Sequence, residues 1–317
     1  MPTPPRYGFG GTDFNDRNLT ADRVAEALHG LRATGVTRCL PTLVSSPLDA
    51  FAACAGVLSG TSSAAIAGIH MEGPYVSPED GPRGAHAKAH VRPADIDDFK
   101  RRQDAANGRI VLVTLAPEVP GAIPLIEYLV ASGVRVAIGH TAAESARISD
   151  AIAAGATLAT HLGNGCAAML PRHPNPIWDL LADEAVLASF IADGHHLSPA
   201  TVKAMIRAKG PRRSVLITDA TAAAGCRPGT YLLGDVRSTL TSDGRVSLAG
   251  TPYLAGSALT LERAIGNAVR FTGLPLDEVV PMASTIPAEY IGATPVGRVV
   301  ADWDPATAIL RVLNVQE

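Results

Sequence analysis

Along this chain, short and almost unbroken apolar runs alternate with stretches in which apolar residues recur every three or four positions. The runs are "VTRCLPTLV" (36–44), "AAIAGIHM" (64–71), "RIVLVTLAP" (109–117), "VRVAIGH" (134–140), "TLATHL" (157–162), "LASFIADG" (187–194) and "SVLITDA" (214–220). They are apolar throughout rather than at every second residue. Strands of a parallel sheet covered on both faces read this way. Between them, "TADRVAEALHGLRATG" (20–35) and "AAESARISDAIAAG" (142–155) carry helical spacing, the first with Thr20 placed as N-cap and Gly35 as its stop. With "YGFGG" (7–11) counted as the end of a first strand, the rhythm predicts eight strand–helix units and an α/β fold, a (β/α)8 TIM-like barrel. Two segments break it: 229–256 reads as short antiparallel strands around a Ser-Asp-Gly turn, and 297–317 as strands around a turn. The expected division is a barrel from 8–228 and 257–295, and a reduced small β-sandwich domain from 229–256 and 296–317.

Composition narrows the classes of partner. The 317 residues are 47% hydrophobic and 18% charged, enough for one large domain with a small appendage. A formal charge of −3 supplies no basic field for nucleic acid and no polybasic patch for a membrane surface. No run reaches the ~18 apolar residues of a membrane helix, and "MPTPPRYGFGG" has no charged region followed by an apolar core, so we expect no signal peptide. Cys39, Cys54, Cys166 and Cys226 are scattered without a CxxC and read as reduced thiols of a cytoplasmic protein.

In a barrel, residues just beyond the C-terminal ends of the strands face the active site. Those positions hold Glu72, His140, His161, Asp193–His196 and Asp219, all polar or ionisable. Glu72, in "GIHMEGPY" (68–75), could cap a loop, pair with an arginine or bind a metal. With His140 and His161 it makes a one-carboxylate, two-imidazole set suited to zinc and related divalent ions. The two histidines are one βα unit apart; each alone would equally suit a hydrogen-bonded strand end. Asp219 is placed either to shuttle a proton beside such a metal or to cap the following segment. His70 reads as a packed strand residue and His29 and His90 as solvent-facing. "GFGGTDF" (8–14) lacks the Lys-Ser/Thr of a phosphate loop, and its glycines read as room for a turn.

Taken in order, "GIHMEGPY", "RGAH" (83–86), "IGHT" (138–141), "THLGN" (160–164), "IADGHH" (191–196), "LITDATAAAG" (216–225) and "LAGSALTLERAIGN" (254–267) resemble the motifs of N-acetylglucosamine-6-phosphate deacetylases, in the amidohydrolase superfamily. The resemblance runs from about residue 8 to 305. It implies a barrel of the metal-dependent hydrolase type with one divalent metal ion per chain, zinc first and iron, manganese or cobalt as alternatives, bound by Glu72, His140 and His161. It implies Asp219 as catalytic base and then acid, and His86 as the contact to the substrate's amide carbonyl. Asn164, Gly165, Arg172 and His196 match positions that bind the sugar phosphate, Arg172 through its phosphate.

Three departures stand out. The strand-one His-x-His of many amidohydrolases is replaced by "PPRYGFGG", which removes ligands for a second metal. The family's strands before that motif are absent, so its small β domain is expected to be partial. The loop "PRHPNPIWDLL" (171–181) keeps Arg172 but differs at His173, Asn175 and Trp178. The implied reaction is hydrolysis of the acetamide of an N-acetylated amino sugar phosphate, in a homodimer that can share pocket residues across its interface. The alternatives are hydrolysis of another acylated amine or cyclic amide, and a non-catalytic sugar-phosphate-binding protein.

Overall fold

The computed structural model describes residues 2–294 and 296–316. Eight parallel strands follow one another in chain order: β1 (Pro2–Arg6), β2 (Arg38–Leu43), β3 (Ile69–Glu72), β4 (Ile110–Leu115), β5 (Arg135–Ile138), β6 (Leu158–Ala159), β7 (Leu187–Ile191) and β8 (Ser214–Ile217). The sheet curls until its two ends meet, as in a TIM-like barrel. The backbone N–H groups of Tyr7 and Gly8 both donate to the carbonyl of Ala220, at 2.9 and 3.2 Å, so the chain after β1 is tied to the chain after β8.

The strands are short, and burial explains their composition. Val113, Val136, Ala159, Ala188, Phe190 and Leu216 are all fully buried, because helices cover the outer face while side chains fill the interior. The helices are α1 (Ala21–Ala33), α2 (Leu48–Gly60), α3 (Ile96–Ala105), α4 (Ala122–Ala131), α5 (Ser145–Ala153), α6 (Pro176–Ala182), α7 (Pro199–Lys209), α8 (Leu261–Thr272), α9 (Leu276–Met282) and α10 (Thr285–Tyr290). Their starts obey local chemistry. Thr20 caps α1 by accepting from Arg23 N, and Ser198 caps α7 ahead of Pro199. Among the described residues no helix is long and apolar enough to cross a membrane.

Two polar devices hold the wall. Arg102 on α3 is fully buried, donates to Asp98 Oδ2 at 2.8 Å and stacks over Phe51, while Tyr75 donates to the same carboxylate oxygen at 2.8 Å. Inside the barrel, His70 bridges Thr42 Oγ1 (3.1 Å) and Thr114 Oγ1 (2.8 Å), and Thr114 meets Thr160 at 2.8 Å. His70 is thus a packed residue whose neutral ring is held by three strands; burial pushes its pKa down to about 4.

The first strand lies earlier than the sequence pattern suggests. Residues 2–6 form β1, and "YGFGG" forms its exit and a tight hairpin, Gly8–Phe9 paired with Thr12–Asp13. Gly10 and Gly11 hold φ of 59° and 87° in that hairpin, the left-handed backbone that glycine adopts freely. A proline-rich run carries too little of the β-branched signal by which strands are read. The interruption at 229–256 is a three-stranded antiparallel sheet, β9 (Gly229–Leu233), β10 (Val236–Leu240) and β11 (Val246–Leu248). The tail is a separate hairpin, β12 (Arg298–Asp304) with β13 (Ile309–Gln316), lying against α1 and α8.

Candidate active site and metal centre

The strand ends converge on a cavity of about 870 Å³ bordered by Tyr7, Glu72, His86, His140, His161, Asn164, Gly165, His196 and Asp219. Glu72 is the last residue of β3, His140 lies two residues past β5 and His161 two past β6. His140, His161 and Asp219 have φ of 51°, 31° and 55°, a backbone region that non-glycine residues seldom occupy. Strain of that kind concentrates at functional sites. It is held here by surrounding bonds: His161 N–H donates to Ser189 Oγ at 2.8 Å, and the carbonyl of Asp219 accepts from Ser257 N at 2.8 Å.

The ligand set is legible in the hydrogen bonds. His140 Nδ1 lies 2.9 Å from the carbonyl of Pro82, which can only accept, so the ring proton sits there and Nε2 presents a lone pair. That lone pair faces Glu72 Oε1 at 3.1 Å and His161 Nε2 at 3.0 Å. With the His161 proton on Nδ1, all three residues can turn lone pairs toward one cation. Glu72 Oε2 and His161 Nδ1 are in addition buried without hydrogen-bond partners. Among the described residues, Glu72, His140 and His161 form the group whose ligand atoms all lie within 4.8 Å of one another. One carboxylate and two imidazoles fit a divalent ion such as zinc with a position left for water. Two glycines leave the space: a Cβ on Gly165 would stand 2.9 Å from His140 Nδ1, and one on Gly84 would stand 3.0 Å from His140 Cε1.

The ionisation states follow from burial. Burial alone would raise the Glu72 carboxyl, but the contacts it makes with the His140 and His86 rings hold it well below the usual carboxylate range. His161 is pushed down to about 3 by burial and by His140, which keeps it neutral and ready to ligate. His86 is lowered by burial and His140; its Nδ1 meets Ser45 Oγ at 2.8 Å and accepts from Ser45 N, so its Nε2 donates to Glu72 Oε1 at 3.2 Å. Asp219 is pushed up to about 7 by burial and by the charge of Glu72. A carboxyl tuned to neutrality is suited to exchange protons. Asp193 accepts from His196 Nδ1 at 2.7 Å and from the backbone N–H groups of His195 and His196 at 2.8 Å, which fixes the imidazole that borders the cavity.

Most of the residues expected from sequence therefore meet in one place. Arg172 does not: it is exposed on the loop before α6 and does not border the cavity. His90 differs from expectation too, being half-buried with Nε2 3.2 Å from Asp235 of the small sheet. Asp219 caps no helix. Sequence reading missed Tyr7, whose hydroxyl donates to Glu72 Oε1 at 2.6 Å, and Ser45. The signal for Tyr7 was its place beside the departed strand-one histidines; Ser45 gave none.

The chain matches the Amidohydrolase family over residues 30–310. It is 37% identical over 234 residues to the N-acetylglucosamine-6-phosphate deacetylase of Bacillus subtilis, covering 74% of this chain and 58% of that one. It is 34% identical over 301 residues to the bovine deacetylase of the same name, covering 90% of this chain and 71% of that one. This chain thus spans a little over half to about seven-tenths of the length of these relatives. A solved structure of an N-acetyl-D-glucosamine-6-phosphate deacetylase mutant from Mycobacterium smegmatis, in complex with N-acetyl-D-glucosamine-6-phosphate, superposes with a TM-score of 0.91 at 33% identity, covering 99% of this chain and 84% of that one.

Proposed function

We propose, from the premise that this chain belongs to the amidohydrolase family and within it resembles the N-acetylglucosamine-6-phosphate deacetylases, that it hydrolyses the acetamide of N-acetylglucosamine 6-phosphate to glucosamine 6-phosphate and acetate. The observation that carries the reading is the convergence of Glu72, His140 and His161 beside Asp219 at the strand ends. A general base next to a metal-ligand set is what hydrolysis needs and what a binding module does not.

Glu72, His140 and His161 would hold one divalent ion, zinc in our reading. When bound, the ion supplies Lewis-acid polarisation of the carbonyl and lowers the pKa of water. His86 turns its Nε2 proton from Glu72 to the substrate's carbonyl oxygen, stabilising the negative charge that builds there. Asp219 takes a proton from the attacking water and passes it to the amine nitrogen as the C–N bond breaks. Asn164 and Gly165 line the sugar, and His196 is held toward it by Asp193. Arg172 stands outside its own chain's cavity, so we assign it to the phosphate of a second copy in a homodimer. The small sheet roofs the barrel, and we read it with the C-terminal hairpin as the reduced small β domain, 229–256 and 296–317, beside a barrel of 8–228 and 257–295 that also includes β1. A cytoplasmic location suits a phosphorylated substrate.

The test is acetate release from N-acetylglucosamine 6-phosphate by zinc-supplemented protein. Release that stops on chelation and returns with zinc supports the whole reading. Folded, zinc-bearing protein that releases none would keep the hydrolase centre and move the substrate to another acylated amine or cyclic amide.

A further inference from the structure

The phenol of Tyr7 has no task in the mechanism above, yet it is hydrogen-bonded to one of that mechanism's carboxylates, Glu72, and borders the same cavity as the other, Asp219. Tyr7 follows β1, is 5% exposed, and donates its backbone N–H to Ala220 O at 2.9 Å, one residue past Asp219. The ring is thereby fixed where the first and last strands meet. Its hydroxyl donates to Glu72 Oε1 at 2.6 Å. Oε1 is the oxygen that faces His140 Nε2 at 3.1 Å, and hence the side of Glu72 turned toward the ligand set. On the far side the ring packs against Gly256, where a Cβ would come within 3.4 Å of Tyr7 Cδ2, so it has little room to swing away.

A phenol has one proton to donate. It goes to Glu72 Oε1. Phenylalanine would fill nearly the same volume and leave Glu72 without this donor. Hydrogen bonds to a ligating carboxylate set its rotation, and loss of such a partner typically costs about 10–100-fold in metal affinity or activity.

We propose that Tyr7 is a positioning residue: by donating to Glu72 it sets the rotation of that carboxylate toward its two histidine partners. The inference rests on the metal-centre reading above but not on the identity of the substrate.

The experiment compares Tyr7→Phe with the parent protein in two ways. A zinc competition titration against a chromophoric chelator reads the centre without substrate. The zinc dissociation constant should rise roughly tenfold or more. Steady-state kinetics on N-acetylglucosamine 6-phosphate should show kcat falling by a similar factor with KM changing less, since the phenol's hydrogen bond is to Glu72 and not to a group assigned to the sugar. Zinc affinity and kcat both within twofold of the parent would overturn the proposal. A parent protein inactive on this substrate would overturn the substrate reading alone, because the zinc titration still decides the role of Tyr7. Should the phenylalanine variant fail to fold, 3-fluorotyrosine placed at position 7 answers the same question. Its fluorine resonance should move on zinc addition and saturate at one equivalent; a resonance that zinc leaves in place overturns the proposal.

Discussion

Gly165 shows how tightly single residues are constrained here. Its φ of 57° suits glycine, and an added Cβ would meet His140 Nδ1 at 2.9 Å and His161 Cε1 at 3.2 Å. Gly165→Ala must therefore push two ligand rings apart. We expect zinc affinity to fall roughly tenfold or more, measured by competition with a chelator, with the thermal midpoint of the metal-free chain moving little by comparison. At this scale the sequence was informative where chemistry demanded a rare residue at a strand end: Glu72, His140, His161 and Asp219 announced themselves by polarity inside apolar runs. It was silent where a common residue acts through geometry. Ser45 is one serine of many until the fold lays its Oγ 2.8 Å from His86 Nδ1. Arg172 is the opposite case, a residue implied by the family resemblance that the fold leaves on the surface.

Among the elements, the three-stranded sheet at 229–256 matters most to the site after the barrel strands. Leu233, Gly234, Arg245, Leu248 and Tyr253 border the cavity, so the sheet is its roof. Three contacts pin it down: Asp13 Oδ2 accepts from Gly234 N at 2.6 Å, His90 Nε2 meets Asp235 at 3.2 Å, and His195 Nε2 meets the carbonyl of Asp243 at 3.2 Å. Asp13 is buried, and Asp13→Ala would leave Gly234 N–H without its acceptor. The roof should then sit loosely over bound sugar. The expected result is a KM raised several-fold with kcat within about twofold, read from steady-state kinetics. An unchanged KM would mean that the other two contacts suffice. The helices and the interior strands could be read from the chain because their periodicity and caps are local signals. The first strand could not, since Pro2–Arg6 is recognisable only once it pairs with β2, Pro2 opposite Arg38 and Arg6 opposite Pro41.

Over the whole molecule, the closed sheet explains why residues from 7 to 219 can share one centre. Closure at Ala220 brings the first strand's exit beside the last, and so sets Tyr7, Glu72 and Asp219 around one cavity, with Tyr7 hydrogen-bonded to Glu72. That group makes the site's polarity unequal. Glu72 is held ionised, whereas Asp219 is pushed up to about 7 by burial and by its charged neighbour. A bound cation favours the carboxylate form and lowers that value. Asp219, as the proposed base, works deprotonated, so kcat/KM of the zinc-loaded protein should fall as pH drops through an acid limb lying below 7. The most direct test of the account is the turnover and zinc content of Asp219→Asn, measured side by side with the parent on N-acetylglucosamine 6-phosphate. We predict about one zinc per chain in both proteins and acetate release reduced to less than about a tenth in the variant. A variant that keeps its zinc and more than a tenth of the parent's kcat would contradict the assignment of the base, and with it the central claim.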